Sequence, residues 1–333
     1  KWLHEAGYRS ELYAETIHPA LRDRVRPLHH DRERARERVA LYHHSIGSAV
    51  ASHLLARPGP LSVIYHNVTP PEFLAGSNPA LAATLAEGRA QLAPLAERAT
   101  LGIAVSAYNE ADLRAAGFER TTVLPLALDE TRFDQPPVPD VASRLAQGEW
   151  LLFVGRLVPN KRQDALITLL AHLRRRRPAA RLALVGELWD PIYTRWVRHQ
   201  VATMGLEEAV WLPGRVSQAE LVSFYRGARL YVSMSEHEGV GLPLIESMWM
   251  GLPVLAYASS GVPGTLGDAG VLFHQQDFPT LAELVSLLLD DDGLRARLIA
   301  AQRRRVEAFR DRHVRQQFLA LVAGLAGRGS ARG

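Results

Sequence analysis

The chain has 333 residues, a formal net charge of +4 and the composition of a soluble globular protein, with no cysteine. This length suits about two domains, each burying its own core. The lack of cysteine excludes disulfides, a thiolate metal site and a cysteine nucleophile. The longest apolar runs are too short to cross a membrane, and residues 1–5 lack the apolar core of a signal peptide. The small basic excess, spread over both halves, gives no indication of nucleic-acid binding.

The basic residues are almost all arginine: of 39, only Lys1 and Lys161 are lysine, which leaves 37 arginines. A coding bias accounts for most of this imbalance. Where arginine is the default cation, an interior lysine indicates a position that requires a compact ammonium group. Lys161 is therefore a candidate site residue before any motif is considered.

Short apolar runs alternate with amphipathic stretches along the chain, which predicts strands alternating with helices. The predicted strands are Glu11–Ala14, Val39–His43, Leu61–His66, Gly102–Val105, Thr121–Leu124, Trp150–Val154, Leu182–Val185, Ala209–Leu212, Leu230–Ser233, Pro253–Ala256 and Gly270–Phe273. The predicted helices are Gly47–Ala56, Pro79–Arg98, Asn109–Ala116, Gln163–Arg177, Pro191–Met204, Gln218–Gly227, Pro243–Met250 and Thr280–Leu289. Near-continuous apolar strands are typical of a parallel sheet with helices on both faces.

This alternation occurs twice, so we expect an α/β protein of two doubly wound domains. The stretch 129–147 carries three prolines and interrupts the periodicity, which predicts the boundary there. We expect domains at 1–135 and 136–308, followed by a C-terminal helix and Gly/Arg/Ser tail at 309–333. The first domain opens without the usual strand, glycine turn and helix, so it is expected to lack one βα unit of roughly 20–30 residues.

The most specific motif is SEHEGVGLPLIE at Ser235–Glu246, which follows a predicted strand and precedes a helix starting near Pro243. Free N–H groups at such a helix N-terminus stabilise an anionic phosphate, and glycines let the ligand approach the backbone. Carboxylates at Glu238 and Glu246 suit paired hydroxyls, as in ribose or a hexose. An acidic loop without function is the alternative. The predicted backbone donors are Gly239, Val240, Gly241 and Leu242.

A second motif, GRLVPNK at Gly155–Lys161, directly follows the strand ending at Val154. Ligands bind at this edge of open α/β sheets. The cations Arg156 and Lys161 suit a diphosphate, although two surface cations would give the same pattern. The segment does not match a P-loop, because G-x-x-x-x-G-K-[ST] is absent.

Two histidine-bearing segments in the first half, 42–48 and 64–70, each follow a predicted strand. Their positions place histidines at the ligand-binding edge of a sheet, although a lone histidine is more often structural. The functional candidates are His66 and, on the acceptor side, His43, His44, Ser45 and Asn67.

Taken together, these segments resemble the GT-B glycosyltransferases of family 4. The resemblance rests on residues that agree in order and spacing. They are Gly155, Arg156 and Lys161, then Leu184–Glu187 and Pro213–Ser217, then Glu238 and Glu246, and finally Gly251, Pro253 and Val254. It implies two Rossmann-like domains with the C-terminal helix packing back across the junction. The nucleotide sugar would bind mainly to the C-terminal domain, facing a cleft closed by the N-terminal one.

The resemblance also implies individual roles. Arg156 and Lys161 would hold the diphosphate, Glu246 the ribose hydroxyls and Glu238 the hydroxyls of the transferred sugar. His66 would approach that sugar and complete a catalytic set with Glu238, Arg156 and Lys161. Glu187, Arg215 and Val216 would line the donor site, with Gly214–Val216 along the base. Neither a metal nor a cofactor is expected, because protein cations and helix dipoles stabilise the leaving diphosphate.

The expected function is retaining transfer of a hexose from a GDP- or UDP-linked sugar to a carbohydrate or glycolipid, in cell-surface polysaccharide or glycoconjugate synthesis. Such a protein would be cytoplasmic, with peripheral association at the inner face of the membrane as an option. One alternative is a GT-B nucleotide-sugar epimerase. Another is a non-catalytic binding or partner subunit, which the missing βα unit favours. Donor base, sugar, acceptor and oligomeric state stay open.

Overall fold

The computed structural model describes residues 1–31 and 38–329, with no side chains described from residue 327 onward. The chain forms two compact units. The first comprises the described residues of 1–71 and 80–127 and the chain from Asp311 on, and the second comprises 72–79 and 128–310. The end of the predicted tail, residues 330–333, lies outside the described residues.

The elements alternate along most of the chain. The strands are β1 (Leu12–Ala14), β2 (Val25–Pro27), β3 (Ala40–His44), β4 (Leu61–Tyr65), β5 (Leu101–Ala104), β6 (Thr121–Val123), β7 (Glu149–Val154), β8 (Ala180–Val185), β9 (Val210–Gly214), β10 (Leu230–Ser233), β11 (Val254–Tyr257) and β12 (Val271–Phe273). The helices are α1 (Trp2–Glu5), α2 (Ala49–Ala56), α3 (Pro79–Ala90), α4 (Leu92–Arg98), α5 (Ala107–Ala115), α6 (Pro139–Leu145), α7 (Gln163–Arg174), α8 (Pro191–Thr203), α9 (Gln218–Gly227), α10 (Leu242–Trp249), α11 (Val262–Leu266), α12 (Phe278–Asp290), α13 (Asp292–Val306) and α14 (Asp311–Gly329).

Each predicted strand and helix is present, with small shifts at the ends, and three local differences have physical causes. The helix predicted over Pro79–Arg98 is divided into α3 and α4 because Pro94, near the start of α4, has no N–H to continue the hydrogen-bond ladder. The strand β2 was not predicted; it pairs in parallel with β1, apart from the larger sheets. The stretch predicted as an irregular junction contains α6, which begins with Pro139 in its first turn.

Both larger sheets are parallel. In the first unit the strand order is β3-β4-β5-β6, and in the second it is β12-β11-β10-β7-β8-β9. The second order is that of a Rossmann fold, in which the order reverses between the first and fourth strands. Here these strands are β7 and β10, paired through Leu151 and Leu230 and through Leu152 and Tyr231. Their carboxyl ends meet at the point where ligands bind in such sheets.

The second unit starts earlier than the predicted boundary at 135, because the segment entering it pairs with the segment leaving it. Leu128 donates its backbone N–H to the carbonyl of Phe309 at 2.7 Å. The guanidinium of Arg310 bonds both carboxylate oxygens of Glu130, at 2.7 and 2.8 Å. These contacts tie residues 128–135 to the unit that ends at Arg310. From Asp311 on, the chain groups with the first unit.

Two further features bear on the sequence interpretation. Among the three aspartates at 290–292, Asp291 caps a helix: it accepts a hydrogen bond from the N–H of Leu294 at 2.7 Å at the start of α13. No helix in the described part of the chain is long and apolar enough to cross a membrane.

The carboxyl ends of β7 and β8 are held together by a backbone contact that only glycine permits. Gly186, at φ +148°, approaches Gly155 so closely that a Cβ added to it would lie 2.1 Å from the Gly155 carbonyl oxygen. Gly155 donates its N–H to Val185 at 2.9 Å, and Gly186 donates to Gly214 at 3.0 Å. These glycines fix the start of the GRLVPNK segment.

Replacing Gly186 with alanine should therefore lower the free energy of unfolding by about 3 kcal/mol, because the added methyl meets rigid backbone at a positive φ. Urea denaturation measures the effect. Gly264→Ala is the matched control, since a Cβ there would have nothing within 4 Å. If both variants unfold at the same urea concentration, this account of the contact is wrong.

Candidate functional site

The GRLVPNK segment leaves β7 and places its cations in different surroundings. Arg156 is exposed, and its guanidinium lies over the ring of Trp189, 5.1 Å from the ring centroid. Lys161 ends a single 3-10 turn, Pro159–Lys161, immediately before α7. Gln163 supports the turn by donating to the carbonyl of Arg156 at 2.9 Å. Arg156 is thus exposed and available to a ligand, whereas Lys161 is held in a turn of the protein.

The loop after β10 turns its carbonyl groups toward the protein. The carbonyl of Glu238 accepts from the N–H of Gly261 at 2.9 Å, and that of Val240 accepts from the hydroxyl of Thr265 at 2.6 Å. Gly241, at φ +78°, is the N-cap residue of α10, and Pro243 lies in its first turn. Within the described residues, the backbone N–H groups of residues 240–242 donate to no protein acceptor. This arrangement leaves donors at a helix N-terminus available to an anion.

The structure brings two predicted residues into direct contact. The Nζ atom of Lys161 donates to Oε1 of Glu238 at 2.5 Å. The lysine side chain is 20% exposed and the glutamate side chain 16% exposed. Partial burial strengthens the attraction between these charges relative to a surface pair, yet leaves both accessible to a ligand. A cation and a carboxylate thus meet where β7 and β10 end.

Glu246 lies deeper than Glu238. It is 9% exposed, and its Oε2 accepts a hydrogen bond from the hydroxyl of Tyr225 at 2.7 Å. Burial raises the pKa of Glu246 above its ordinary value, although the Tyr225 bond and the charge of Arg132 oppose this rise. The two predicted carboxylates therefore differ: Glu238 is ion-paired near the surface and Glu246 is buried beside a tyrosine.

The other predicted donor-side residues follow neighbouring strands of the same sheet. Glu187 follows β8 and has an exposed side chain, and its carbonyl accepts from the N–H of Leu157 at 2.9 Å. Arg215 and Val216 follow β9; the arginine is exposed and the valine half-buried. All lie at the carboxyl edge of the sheet, and in the described structure neither Glu187 nor Arg215 forms an ion pair.

In the first unit, His43 and His66 form a pair. Nδ1 of His43 lies 2.7 Å from Nε2 of His66, and the two rings are close to parallel. Burial, together with the charge of His43, lowers the pKa of His66 to about 4. Loss of solvation also lowers the pKa of His43. Both rings are thus neutral at pH 7, and an N–H of one donates a hydrogen bond to the unprotonated nitrogen of the other.

Two acceptor-side candidates prove to be internal. His44 is fully buried, with Nε2 bound to the carbonyl of Gly88 at 2.8 Å and Nδ1 lying 3.1 Å from the hydroxyl of Tyr42. The structure therefore places His44 in the core and not at a binding surface. Asn67 is 8% exposed at φ +81° and donates to Asn109 at 3.0 Å. Ser45 stays exposed.

Sequence inspection missed three residues beside the central ion pair: Asn160, Arg162 and Glu236. The signal available in the sequence was a second cation after Lys161 and a second carboxylate two residues before Glu238. In the structure Arg162 bonds Glu236, so this second pair accompanies the first. Among the described residues, no group of three or more His, Asp or Glu side chains is arranged to hold a metal ion.

Comparison of the sequence with known proteins identifies the family of the segment that carries this site. Residues 142–305 match the sequence profile of the glycosyl transferases group 1. This segment belongs to that family.

The chain is 30% identical over 233 residues to D-inositol 3-phosphate glycosyltransferase of Thermobispora bispora, covering 67% of this chain and 54% of that protein. It is 33% identical over 151 residues to mannosylfructose-phosphate synthase of Agrobacterium fabrum, covering 42% of this chain and 33% of that one. The chain thus spans about half the length of the first of these relatives and a third of the second.

Solved structures identify the fold of the chain. Sucrose-phosphate synthase from Thermosynechococcus elongatus superimposes with a TM-score of 0.78 at 21% identity, covering 98% of this chain and 91% of that one. HepE of Anabaena, solved in complex with UDP and glucose, gives a TM-score of 0.66 at 23% identity, covering 83% of this chain and 74% of that one. The chain thus has the α/β two-domain GT-B fold, as predicted.

Substituting Glu246 with glutamine should make the protein more stable at neutral pH. Because the folded pKa of Glu246 is raised, the folded state keeps a proton that the unfolded state loses. Stability from this group is therefore full below the unfolded pKa and falls as pH rises toward the folded pKa. Glutamine, always neutral, avoids this loss and should raise the free energy of unfolding at pH 7 while leaving it nearly unchanged at pH 4.

Urea unfolding between pH 4 and 7.5 measures this difference. Glu220→Gln is the control of opposite sign, because bonds from the side chain and backbone of Ser217 lower the pKa of Glu220. That variant should lose stability at neutral pH. A Glu246→Gln protein less stable than wild type at pH 7 would contradict the burial argument.

His66→Gln should flatten the acid side of the stability profile. The folded pKa of His66, about 4, is below its ordinary value of 6.5, so acid protonates the unfolded chain first. Its contribution is present above pH 6.5 and declines as pH falls toward 4; with solvent screening it amounts to about 2 kcal/mol. Chemical unfolding at successive pH values gives the slope, with the exposed His274→Gln as control. An unchanged slope in His66→Gln would count against a depressed pKa.

Proposed function

We propose that this protein transfers a hexose from a nucleoside diphosphate sugar to a carbohydrate or glycolipid acceptor with retention of anomeric configuration. The observation that carries the proposal is the contact between Lys161 and Glu238 at the end of β7 and β10, 2.5 Å long, beside the open N-terminus of α10. An ammonium, a carboxylate and free backbone N–H groups together match a diphosphate joined to a sugar.

The diphosphate would bind between the two loops of the second unit. Its oxygens would accept hydrogen bonds from residues 240–242 and from Arg156, whose guanidinium is exposed beside Trp189. Lys161 would donate to the diphosphate while staying close to Glu238, since an ammonium group has three donors. Negative charge grows on the diphosphate as it leaves, so these preorganised donors lower the barrier without a metal ion.

The sugar and the nucleoside would each meet a carboxylate. Glu238, near the surface, would accept hydrogen bonds from the hydroxyls of the hexose. Glu246 bonds Tyr225 through Oε2, and its Oε1 would accept from the ribose hydroxyls. The base would lie along Gly214–Val216 and contact mainly backbone, which is compatible with either a GDP- or a UDP-linked sugar.

In the reaction, the bond between the anomeric carbon and the diphosphate oxygen breaks, and an oxocarbenium-like centre forms. The acceptor hydroxyl attacks from the face that the diphosphate leaves, and a departing phosphate oxygen takes its proton. No protein carboxylate is assigned as nucleophile. We propose that His66, paired with His43, acts in the reaction as a neutral imidazole; its pKa of about 4 keeps it uncharged at pH 7.

The relatives support this choice of reaction class. They include D-inositol 3-phosphate glycosyltransferase and mannosylfructose-phosphate synthase, and HepE of the same fold has been solved with UDP-glucose. A GDP-mannose-dependent mannosyltransferase of Corynebacterium glutamicum is 33% identical over 161 residues, covering 46% of this chain and 41% of that protein. Both donor bases therefore belong in the first assays.

Lys161→Ala and Glu238→Ala should each lower kcat/KM for sugar transfer by roughly 100-fold or more, because each removes a group placed at the reacting diphosphate or sugar. The assay measures glycoside formation from UDP-glucose and GDP-mannose with a panel of sugar and glycolipid acceptors. Glu283→Ala is the matched control, since Glu283 also pairs with a basic residue, Arg176, but both side chains are mostly exposed. Full activity in Glu238→Ala would refute the site.

The same assay separates the alternatives. Donor consumption without acceptor, yielding an epimerised sugar nucleotide, would indicate an epimerase. Nucleotide binding by calorimetry without either reaction would indicate a binding subunit. The anomeric configuration of the product, read from its NMR coupling constant, tests retention directly; an inverted product would exclude the retaining mechanism.

A further inference from the structure

Three consecutive residues of the loop after β7 contact the loop after β10. The carbonyl of Asn160 accepts from the N–H of Glu236 at 2.9 Å, and its side-chain amide donates to the carbonyl of His237 at 3.4 Å. Lys161 bonds Glu238, and the guanidinium of Arg162 bonds Glu236. Each of residues 160–162 thus bonds to the segment 236–238, and Lys161 lies between the two residues that join the loops on either side of it.

The backbone at Arg162 is unusual for an arginine. Its φ of 52° and ψ of 45° fall in the left-handed region, where glycine is the residue without steric cost. It is one of three non-glycine residues with positive φ in the described chain, with Asn67 and Ser260. Glycine would adopt this backbone conformation at lower steric cost. We therefore expect the arginine side chain to make an interaction that glycine cannot make.

The arginine side chain provides a bridge between two carboxylates. Its Nε and NH2 groups donate to Asp164 in the first turn of α7, at 3.1 and 3.0 Å, while NH1 reaches Glu236. Asp164 is itself fixed, because Tyr193 on α8 donates its hydroxyl to it at 2.9 Å. The guanidinium therefore anchors the loop after β10 to α7 directly and, through Asp164 and Tyr193, to α8.

We propose that Arg162 is a positioning residue that aims the ammonium group of Lys161 at Glu238 and at the diphosphate. It does so by holding the two loops at a fixed separation directly beside that pair, without touching the donor. Its use in catalysis rests on the proposed function, whereas its hold on Lys161 is a property of the protein alone. The two claims can therefore be tested separately.

The composition of the chain makes the hold on Lys161 directly measurable. Lysine labelled with ¹³C gives signals from only Lys1 and Lys161. If Lys161 is held, its ε-methylene protons are inequivalent and give two separate signals, unlike those of a freely rotating lysine. Arg162→Gly removes the bridge and favours the left-handed turn, so the protein should keep its melting temperature. Its Lys161 signals should nevertheless collapse toward those of a free lysine.

Arg177→Ala is the matched control. Arg177 also bridges two carboxylates, Glu149 and Asp290, but at the start of β7, the opposite end from Lys161. It should leave the lysine spectrum unchanged. Glu236→Gln, which keeps the shape of its side chain, should reproduce part of the Arg162→Gly change. If the Lys161 signals are the same in wild type, Arg162→Gly and Glu236→Gln, the positioning role is overturned.

Calorimetric titration with UDP and GDP tests the consequence for the donor. Arg162→Gly should bind the favoured nucleotide roughly threefold to tenfold more weakly, with Arg177→Ala unchanged. Unaltered affinity in Arg162→Gly would overturn the link to donor binding. Should wild type bind neither nucleotide, the proposed function fails, and the lysine spectra still decide whether Arg162 positions Lys161.

Discussion

The reversal of strand order between β7 and β10 is the constraint on which the candidate site depends. In a parallel sheet, each strand ends at the same edge, and connections leave on opposite sides where the order reverses. That geometry brings together Lys161 and Glu238, which are 77 positions apart in the sequence. The glycines at 155 and 186 then allow the neighbouring strand ends to approach, so the loop carrying the cations starts from a fixed position.

The acidic and basic groups at this edge of the sheet have different electrostatic surroundings. Lys161 and Glu238 are partly buried and neutralise each other, so neither carries an uncompensated charge. Glu246 has no such cation in contact; its burial beside Tyr225 raises its pKa. Arg156 faces solvent over Trp189. A diphosphate would thus meet one cation already oriented and one free to close on it, next to helix N–H groups.

The strands and most helices could be predicted because apolar periodicity and glycine or proline positions are local properties. Two elements show where prediction from local patterns fails. Pro94 divides a predicted helix by a local effect that the periodicity hid, whereas β2 has the sequence VRP, which forms no apolar run. The histidines illustrate the limit at the site: all three lie at or directly after the end of a strand, but His43 and His66 pair near the surface while His44 points into the core.

The sequence alone determined the fold class, and it predicted the sheet edge at which chemistry is expected and one interior lysine as a candidate site residue. These follow from the alternation of predicted strands and helices, from the glycines at strand ends and from the composition. None of these requires knowledge of contacts between distant segments. Only the tertiary structure decided which charges touch, which carboxylate is buried and that Arg162 joins Asp164 to Glu236. The reason is physical: contacts between distant segments depend on strand order and loop conformation, and a short window of sequence encodes neither.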